Sequence, residues 1–164
     1  MTTTKKLSRY PGARPFEQKQ SSLFFGREND INALYRLIKL RSVVTLYGKS
    51  GTGKSSLLNA GIIPKTLEDG RFVPLVVRFN SFNKDGDTNM MPFETTQLAI
   101  RGGKKSAKTF LDRLIKDEDS LWHDVKEHYV RHKGERGLLL IFDQFEELFT
   151  YDDRAINFFQ EELA

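Results

Sequence analysis

The chain has 164 residues, 38% of them hydrophobic and 29% charged, and carries a formal net charge of +4. That length suits one domain with a real core, and the modest positive charge suits polyphosphate binding without indicating DNA. The sequence contains no cysteine, which excludes disulfides and thiolate metal sites. It offers no apolar run near the roughly 20 residues of a membrane span and no secretory signal, so we expect a cytoplasmic protein without membrane partners.

The N-terminal part of the chain predicts an arm, a helix and a strand. Residues 1–22 are polar and contain Pro11 and Pro15, which predicts an extended N-terminal arm. Apolar residues then recur with helical spacing, which predicts an amphipathic helix over 28–40. That spacing is carried by Ile31, Leu34, Tyr35 and Ile38. The apolar run 43–47 that follows predicts the first strand.

A glycine-rich segment at 48–55 follows this strand and has the form G-x-x-x-x-G-K-[ST]. Its position between a predicted strand and a predicted helix is the context that a phosphate-binding loop requires. The glycines let backbone N–H groups turn towards phosphates, and the helix start adds a positive dipole end. Lys54 can reach the β- and γ-phosphates, and the Ser55 hydroxyl can ligate Mg²⁺. The alternative is a glycine-rich turn that binds nothing. We predict a nucleoside triphosphate site formed by Gly48, Lys49, Ser50, Gly51, Thr52, Gly53, Lys54, Ser55 and Ser56.

The rest of the chain alternates helices and strands. The helix after the loop is predicted to stop at Gly61, and a short helix from Pro64 to be closed by Gly70. Strands are predicted at 72–79 and 138–142, and helices at 92–101, 106–117, 119–132 and after a cap at Asp152 or Asp153. One apolar helix face is predicted to carry Leu121, Trp122, Val125 and Tyr129. The inner face of the last helix is predicted to carry Ile156, Phe159 and Leu163. The alternation predicts an α/β fold, a three-layer αβα sandwich around a parallel sheet, as in P-loop NTPases.

Acidic side chains follow the buried strand 138–142. Asp143 comes directly after it, at the sheet edge where the phosphate loop is also expected, and a carboxylate there can hold Mg²⁺ through its waters. Glu146 and Glu147 follow, and either could orient or deprotonate the attacking water. We favour Glu147 as the base and Glu146 as a metal-side or structural acid. The alternative for each is a solvated surface acid.

Four segments together resemble the novel STAND NTPase 1 family. They are Tyr10-Pro-Gly-Ala-Arg-Pro-Phe16, Phe24-Phe25-Gly26-Arg27-Glu28, the phosphate loop with its helix to Gly61, and Phe142-Asp143-Gln144-Phe145-Glu146-Glu147-Leu148-Phe149. STAND proteins are signal-transduction ATPases with numerous domains, related to the AAA+ and NACHT classes. The resemblance runs from about residue 10 to the last residue. It places Walker A at 48–55 and Walker B at 138–147, within an NTPase domain over 23–164.

The resemblance implies a switch that binds and hydrolyses ATP, with ATP/ADP and Mg²⁺ as cofactors. It implies an adenine pocket formed partly by Phe25, Gly26 and Arg27. It also implies self-association, signalling through downstream sensor or effector domains, and in some members bacterial antiviral defence. In this class another strand usually lies between the two motif strands, so we expect the chain to be a fragment whose NTPase domain is incomplete at the C-terminus. A non-hydrolysing nucleotide-binding scaffold and, with less support, a DNA-associated ATPase remain open.

Overall fold

The computed structural model describes residues 12, 14–83, 90–102, 120–131 and 135–163. The chain divides into two compact units, Met1–Gly70 and Arg71–Ala164. The helix predicted at 106–117 lies outside the described residues, as do residues 10, 11 and 13 of the motif that begins at Tyr10. Among the described helices, none has the length and apolar composition that a bilayer crossing needs.

The regular secondary structure described in the first unit is helical. Its elements are a 3₁₀ helix over Gln18–Leu23, α1 over Glu28–Leu40, α2 over Lys54–Ser56, a π turn over Leu57–Ile62 and α3 over Ile63–Asp69. Helix α1 confirms the helix predicted at 28–40, and its apolar stripe buries Leu34 and Tyr35. The fully extended arm is wrong for residues 18–22, because these belong to the 3₁₀ helix, which packs on the π turn.

The break predicted at Gly61 is also wrong, because one helix runs from the phosphate loop to Asp69 through the π turn. Gly61 lies inside it because α1 packs there: a Cβ on Gly61 would lie 2.7 Å from Cγ1 of Ile31. Pro64 lies in the first turn of α3, where the change from π to α hydrogen bonding accommodates a residue without an N–H. Gly70 ends the helix with a left-handed φ of 72°, as predicted.

We expect Gly61→Ala to lower the free energy of unfolding of this unit by about 1–3 kcal/mol, the usual cost of overpacking. Alanine is the better helix former, so a loss of stability can come only from the contact with α1. Ile31 is β-branched and has little rotamer freedom in a helix, so the two helices must separate. Thermal unfolding measures the loss.

The control for this prediction is the double variant Gly61→Ala with Ile31→Ala, which opens the space that the new methyl group needs. Its destabilisation should be clearly smaller than the sum of the two single variants. Additive losses would show that the methyl group at residue 61 does not meet Ile31.

The strand predicted at 43–47 is wrong. These residues have no regular secondary structure, and they have no ladder partner in the part of the chain that the structure describes. Val43 is 83% and Tyr47 is 89% exposed. β-Branched and aromatic residues favour extended backbone, but a strand forms only through hydrogen bonds to a neighbour. Composition alone therefore overstated the order of this segment.

The second unit contains a small parallel sheet. Strand β1 spans Phe72–Arg78 and strand β2 spans Gly137–Asp143, paired in register from Phe72 with Gly137 to Arg78 with Asp143. Both strands were predicted. Within the described residues the sheet has these two strands, so the observed architecture is mixed α/β with a short parallel sheet. The ranges that the structure describes do not by themselves make up the three layers of a full sandwich.

Where the structure describes the second unit, three helices and a 3₁₀ helix accompany this sheet. They are α4 over Pro92–Ile100, α5 over Leu121–Arg131, the 3₁₀ helix over Phe145–Thr150 and α6 over Asp153–Leu163. Helix α4 packs on β1, on α5 and on α6, and α5 packs on β2. Their shared core centres on Phe79 and Phe159, which are 1% and 0% exposed. The ring of Phe79 stacks on that of Phe142 at 5.7 Å and meets that of Phe159 edge-on at 5.6 Å.

The predicted apolar face of α5 is only partly right. Leu121 is buried, but Trp122 is 63% exposed and Tyr129 is about half exposed. The buried side of α5 instead carries Asp124, whose carboxylate accepts a hydrogen bond from Nε of Arg101 at 2.7 Å. The buried side of α5 therefore includes an ion pair, which hydrophobic periodicity does not predict.

The last helix begins close to the predicted cap. Oδ1 of Asp152 accepts a hydrogen bond from the Ala155 amide at 2.8 Å, which identifies Asp152 as the capping residue of the two candidates. Phe159 faces the core as predicted, but Leu163 is 44% exposed near the helix end.

Candidate functional site

The backbone conformation of the phosphate loop favours glycine at two positions. Gly51 and Gly53 have φ values of 79° and 82°, in the left-handed region that side chains disfavour. Gly53 is followed directly by Lys54, the first residue of α2. The positive end of this helix therefore begins at the loop.

The loop wraps around the side chain of Lys54. Its ammonium group donates hydrogen bonds to the carbonyl oxygens of Gly48 at 2.9 Å and Lys49 at 3.2 Å. The Thr52 hydroxyl donates to the same Lys49 carbonyl at 2.9 Å. A solvent-accessible cation is thus held within the curve of the loop, where an anionic ligand can replace the carbonyl contacts.

Arg27 approaches the same loop from the start of α1. Its Nε donates to Oδ2 of Asp30 at 2.5 Å, and its Nη1 lies 3.4 Å from the carbonyl oxygen of Thr52. Before it, Gly26 adopts a left-handed φ of 81°, and its N–H donates to Oε1 of Glu28 at 3.0 Å. Hydrogen bonds from the backbone N–H of Glu28 and then from that of Gly26 hold the pKa of Glu28 below its ordinary value.

An open pocket of about 270 Å³ lies beside the loop. Its lining is Arg27, Leu46, Tyr47, Gly48, Thr52, Lys54 and Leu57. Four predicted ligands, Arg27, Gly48, Thr52 and Lys54, are therefore brought together within the first unit. Phe25, which is 71% exposed, and Gly26 are not among the lining residues.

The remaining loop residues lie beside the pocket and not in its lining. They are Lys49, Ser50, Gly51, Gly53, Ser55 and Ser56. Ser56 is buried, and its hydroxyl accepts a hydrogen bond from the Phe16 amide at 3.1 Å. The Ser56 side chain therefore anchors the N-terminal arm to the helix that follows the loop.

The acidic segment belongs to the second unit. Asp143 is the last residue of β2 and is 9% exposed. The chain turns sharply after it, because Gln144 has left-handed φ and ψ of 56° and 43°. Nε of Arg78, the last residue of β1, donates a hydrogen bond to Oε1 of Gln144 at 2.6 Å. This hydrogen bond connects the turn to the end of β1.

The 3₁₀ helix after this turn carries the two glutamates in different settings. Glu146 is exposed, whereas Glu147 is half-buried and its Oε2 accepts a hydrogen bond from the Ser81 hydroxyl at 2.5 Å. The hydroxyl of Thr150 donates to the Glu147 carbonyl at 2.7 Å and accepts from the Phe82 amide at 2.7 Å. The segment after β1 thus holds the Glu147 region in place.

Tyr151 extends this set of contacts. Its hydroxyl lies 3.1 Å from the carbonyl oxygen of Asn80 and 3.2 Å from that of Met90. Burial raises the pKa of Tyr151, and the nearby negative charge of Glu147 raises it further.

Sequence reasoning missed Ser81. The available signal was its place just beyond the carboxyl end of β1, the edge of a parallel sheet where functional polar groups collect. Its partner Glu147 is 66 residues away in the chain, so no local pattern identifies the contact.

The sequence matches a known protein family over most of its length. The family model described as Novel STAND NTPase 1 matches residues 10–164, which include the phosphate loop, Asp143 and both glutamates. No curated protein and no solved structure shows a significant match. The resemblance drawn from the four sequence segments is thereby confirmed. The chain belongs to the Novel STAND NTPase 1 family.

Proposed function

We propose that the chain is the nucleotide-binding part of an ATP-dependent switch, in which ATP binding permits self-association and hydrolysis resets the protein. The conformation of the loop 48–55 carries this proposal. Gly51 and Gly53 have left-handed φ angles, and α2 begins at Lys54. Loop carbonyl oxygens accept hydrogen bonds from the Lys54 ammonium group. Family membership supports a nucleotide as the ligand. The preference for ATP over GTP, the signalling output, a role in bacterial defence and the complete three-layer sandwich are parts of the proposal that the family resemblance suggests.

The loop residues have separate roles in this proposal. Backbone N–H groups of 48–55 and the Lys54 ammonium group bind the phosphates, and Ser55 contributes its hydroxyl to Mg²⁺. We also assign Asp143 as a Mg²⁺ ligand, because carboxylate oxygens are among the donors that Mg²⁺ prefers. When bound, the ion would neutralise negative charge on the phosphate oxygens.

We assign the water-orienting role to Glu147 in preference to Glu146. A general base must be held within hydrogen-bond reach of the proton that it takes. The Ser81 hydroxyl restrains the Glu147 carboxylate, and the Thr150 hydroxyl fixes its backbone carbonyl. The Glu146 side chain is exposed, which suits the structural or surface role considered for it.

Calorimetry with ATP, ADP and GTP, with and without Mg²⁺, tests the binding part of this proposal. We expect Mg·ATP and Mg·ADP to bind with dissociation constants of about 1 μM to 1 mM, and GTP to bind more weakly. Phosphate release, measured on the same sample, tests hydrolysis. Binding without phosphate release would contradict the hydrolysis and support the non-hydrolysing scaffold, and turnover that DNA stimulates would support a DNA-associated ATPase.

We expect Glu147→Gln to lower the rate of ATP hydrolysis by about 10²- to 10⁴-fold, the range that a general base contributes. Nucleotide affinity should stay close to that of the wild type, since the proposed role begins only when water attacks. Phosphate release at saturating Mg·ATP and calorimetry measure the two effects. Glu146→Gln is the matched control and should change the rate little. A large loss in Glu146→Gln with none in Glu147→Gln would reverse the assignment.

A further inference from the structure

The Arg27 guanidinium is oriented towards the phosphate loop by its neighbour on α1. Asp30 holds its Nε at 2.5 Å, while Nη1 lies 3.4 Å from the Thr52 carbonyl oxygen. The same Nη1 lies 3.7 Å from the position that a Cβ on Gly53 would occupy. The end of the guanidinium that can donate further hydrogen bonds is therefore next to the loop backbone.

The charges of the residues that line the pocket indicate which ligand Arg27 could bind. Arg27 and Lys54 are cationic, and the other lining residues are uncharged. Two cations at one small pocket favour a ligand with several negative charges, and a guanidinium binds phosphate oxygens through paired N–H groups. The pocket, about 270 Å³, is smaller than the roughly 300–1,000 Å³ that encloses a whole small-molecule ligand.

The ion pair with Asp30 does not prevent this binding. The side chains of Arg27 and Asp30 are 38% and 56% exposed, and ion pairs exposed to water contribute only about 0–1 kcal/mol. A phosphate oxygen can bind the Nη groups while Asp30 keeps Nε, because a guanidinium offers five N–H donors.

We propose that Arg27 binds the phosphate chain of the ligand and not its base. This inference rests on the proposed nucleotide-binding function and names the part of the ligand that Arg27 recognises. Together with Lys54 it makes the site selective for polyphosphates, whether they carry a nucleoside or not. The exposed Phe25, outside the pocket lining, agrees with an Arg27 that faces the loop and not a base pocket.

The test compares ATP with inorganic tripolyphosphate, both with Mg²⁺, by calorimetry on the wild type and on Arg27→Ala. We expect the variant to weaken both ligands by the same factor, about 10- to 100-fold, since it removes charge-assisted hydrogen bonds to phosphate. Arg36→Ala, an exposed arginine of the same helix, is the matched control and should bind both ligands like the wild type.

A weaker ATP affinity with unchanged tripolyphosphate affinity would overturn the inference in favour of a base contact, and unchanged affinity for both ligands would overturn it outright. Failure of the wild type to bind either ligand would instead contradict the proposed function itself. If Arg27→Ala does not fold, Arg27→Lys keeps the charge but loses the paired geometry. It should still weaken both ligands by equal factors, and unequal factors would overturn the inference.

Discussion

Lys54→Ala should weaken Mg·ATP binding about 10- to 150-fold, the largest loss of nucleotide affinity that we expect from one substitution. The ammonium group donates to the carbonyl oxygens of Gly48 and Lys49 at 2.9 and 3.2 Å, so it already lies inside the curve of the loop. A bound phosphate would take over these hydrogen bonds, and hydrogen bonds to charged groups contribute about 1.5–3 kcal/mol. Calorimetry with Mg·ATP measures the loss directly.

Lys126→Ala is the control for this prediction. Lys126 lies on α5 in the second unit, with its ammonium group 5.2 Å from the centroid of the exposed Trp122 ring. Its removal changes the net charge by the same amount, so unchanged affinity there would assign the loss to the position of Lys54. Equal losses in the two variants, or wild-type affinity in Lys54→Ala, would contradict the phosphate-binding role.

Phe159→Ala should lower the free energy of unfolding of the second unit by about 3–5 kcal/mol, the usual cost of removing a buried aromatic ring. Phe159 is 0% exposed. Its ring meets those of Phe79 and Phe142 edge-on at 5.6 and 6.0 Å. The substitution leaves a cavity where α6 meets the sheet. Because whole domains are stable by only about 5–15 kcal/mol, chemical denaturation should show a large shift of the midpoint.

The adjacent Phe158→Ala is the matched control. Phe158 is 47% exposed and contacts chiefly the ring of Phe93, with centroids 5.0 Å apart. It should cost about 1 kcal/mol or less, since it loses one aromatic pair and leaves no enclosed cavity. Similar losses in the two variants would mean that α6 does not present Phe159 to the core.

The turn at the glycine-rich segment 48–55 and the two paired strands could be predicted because their signals are local. Positive φ at Gly51 and Gly53 demands glycine, so the loop conformation is visible in the spacing of residue types. The continuously apolar run that became β2 has the composition of a strand covered on both faces. Each signal lies within a few consecutive residues.

The errors arose where distant packing decides the structure. Position 61 is a glycine inside a helix, and not a helix end, because Ile31, 30 positions earlier, fills the space that a side chain would need. Trp122 is exposed, while the buried side of α5 carries the ion pair between Asp124 and Arg101. Hydrophobic periodicity carries no information about either partner.

The contacts of the candidate site residues could not be predicted for the same reason. The contact of Arg27 with Thr52 spans 25 positions, and that of Ser81 with Glu147 spans 66. A motif identifies the residue types that a chemistry needs, but these contacts depend on how separate segments meet. The sequence could therefore name Glu146 and Glu147 as candidates, whereas the contact between Ser81 and Glu147 is seen only in the structure.

The most direct test of nucleotide binding at the loop is an NMR titration of the ¹⁵N-labelled chain with Mg·ATP. We predict that the largest amide shifts fall on residues 48–55, led by Gly51, Gly53 and Lys54, because phosphate oxygens would approach their N–H groups. The same titration of Lys54→Ala should show these shifts only at much higher ATP concentrations. A folded wild-type sample whose loop amides do not move at millimolar Mg·ATP, or which shifts only at other sites, would contradict the account.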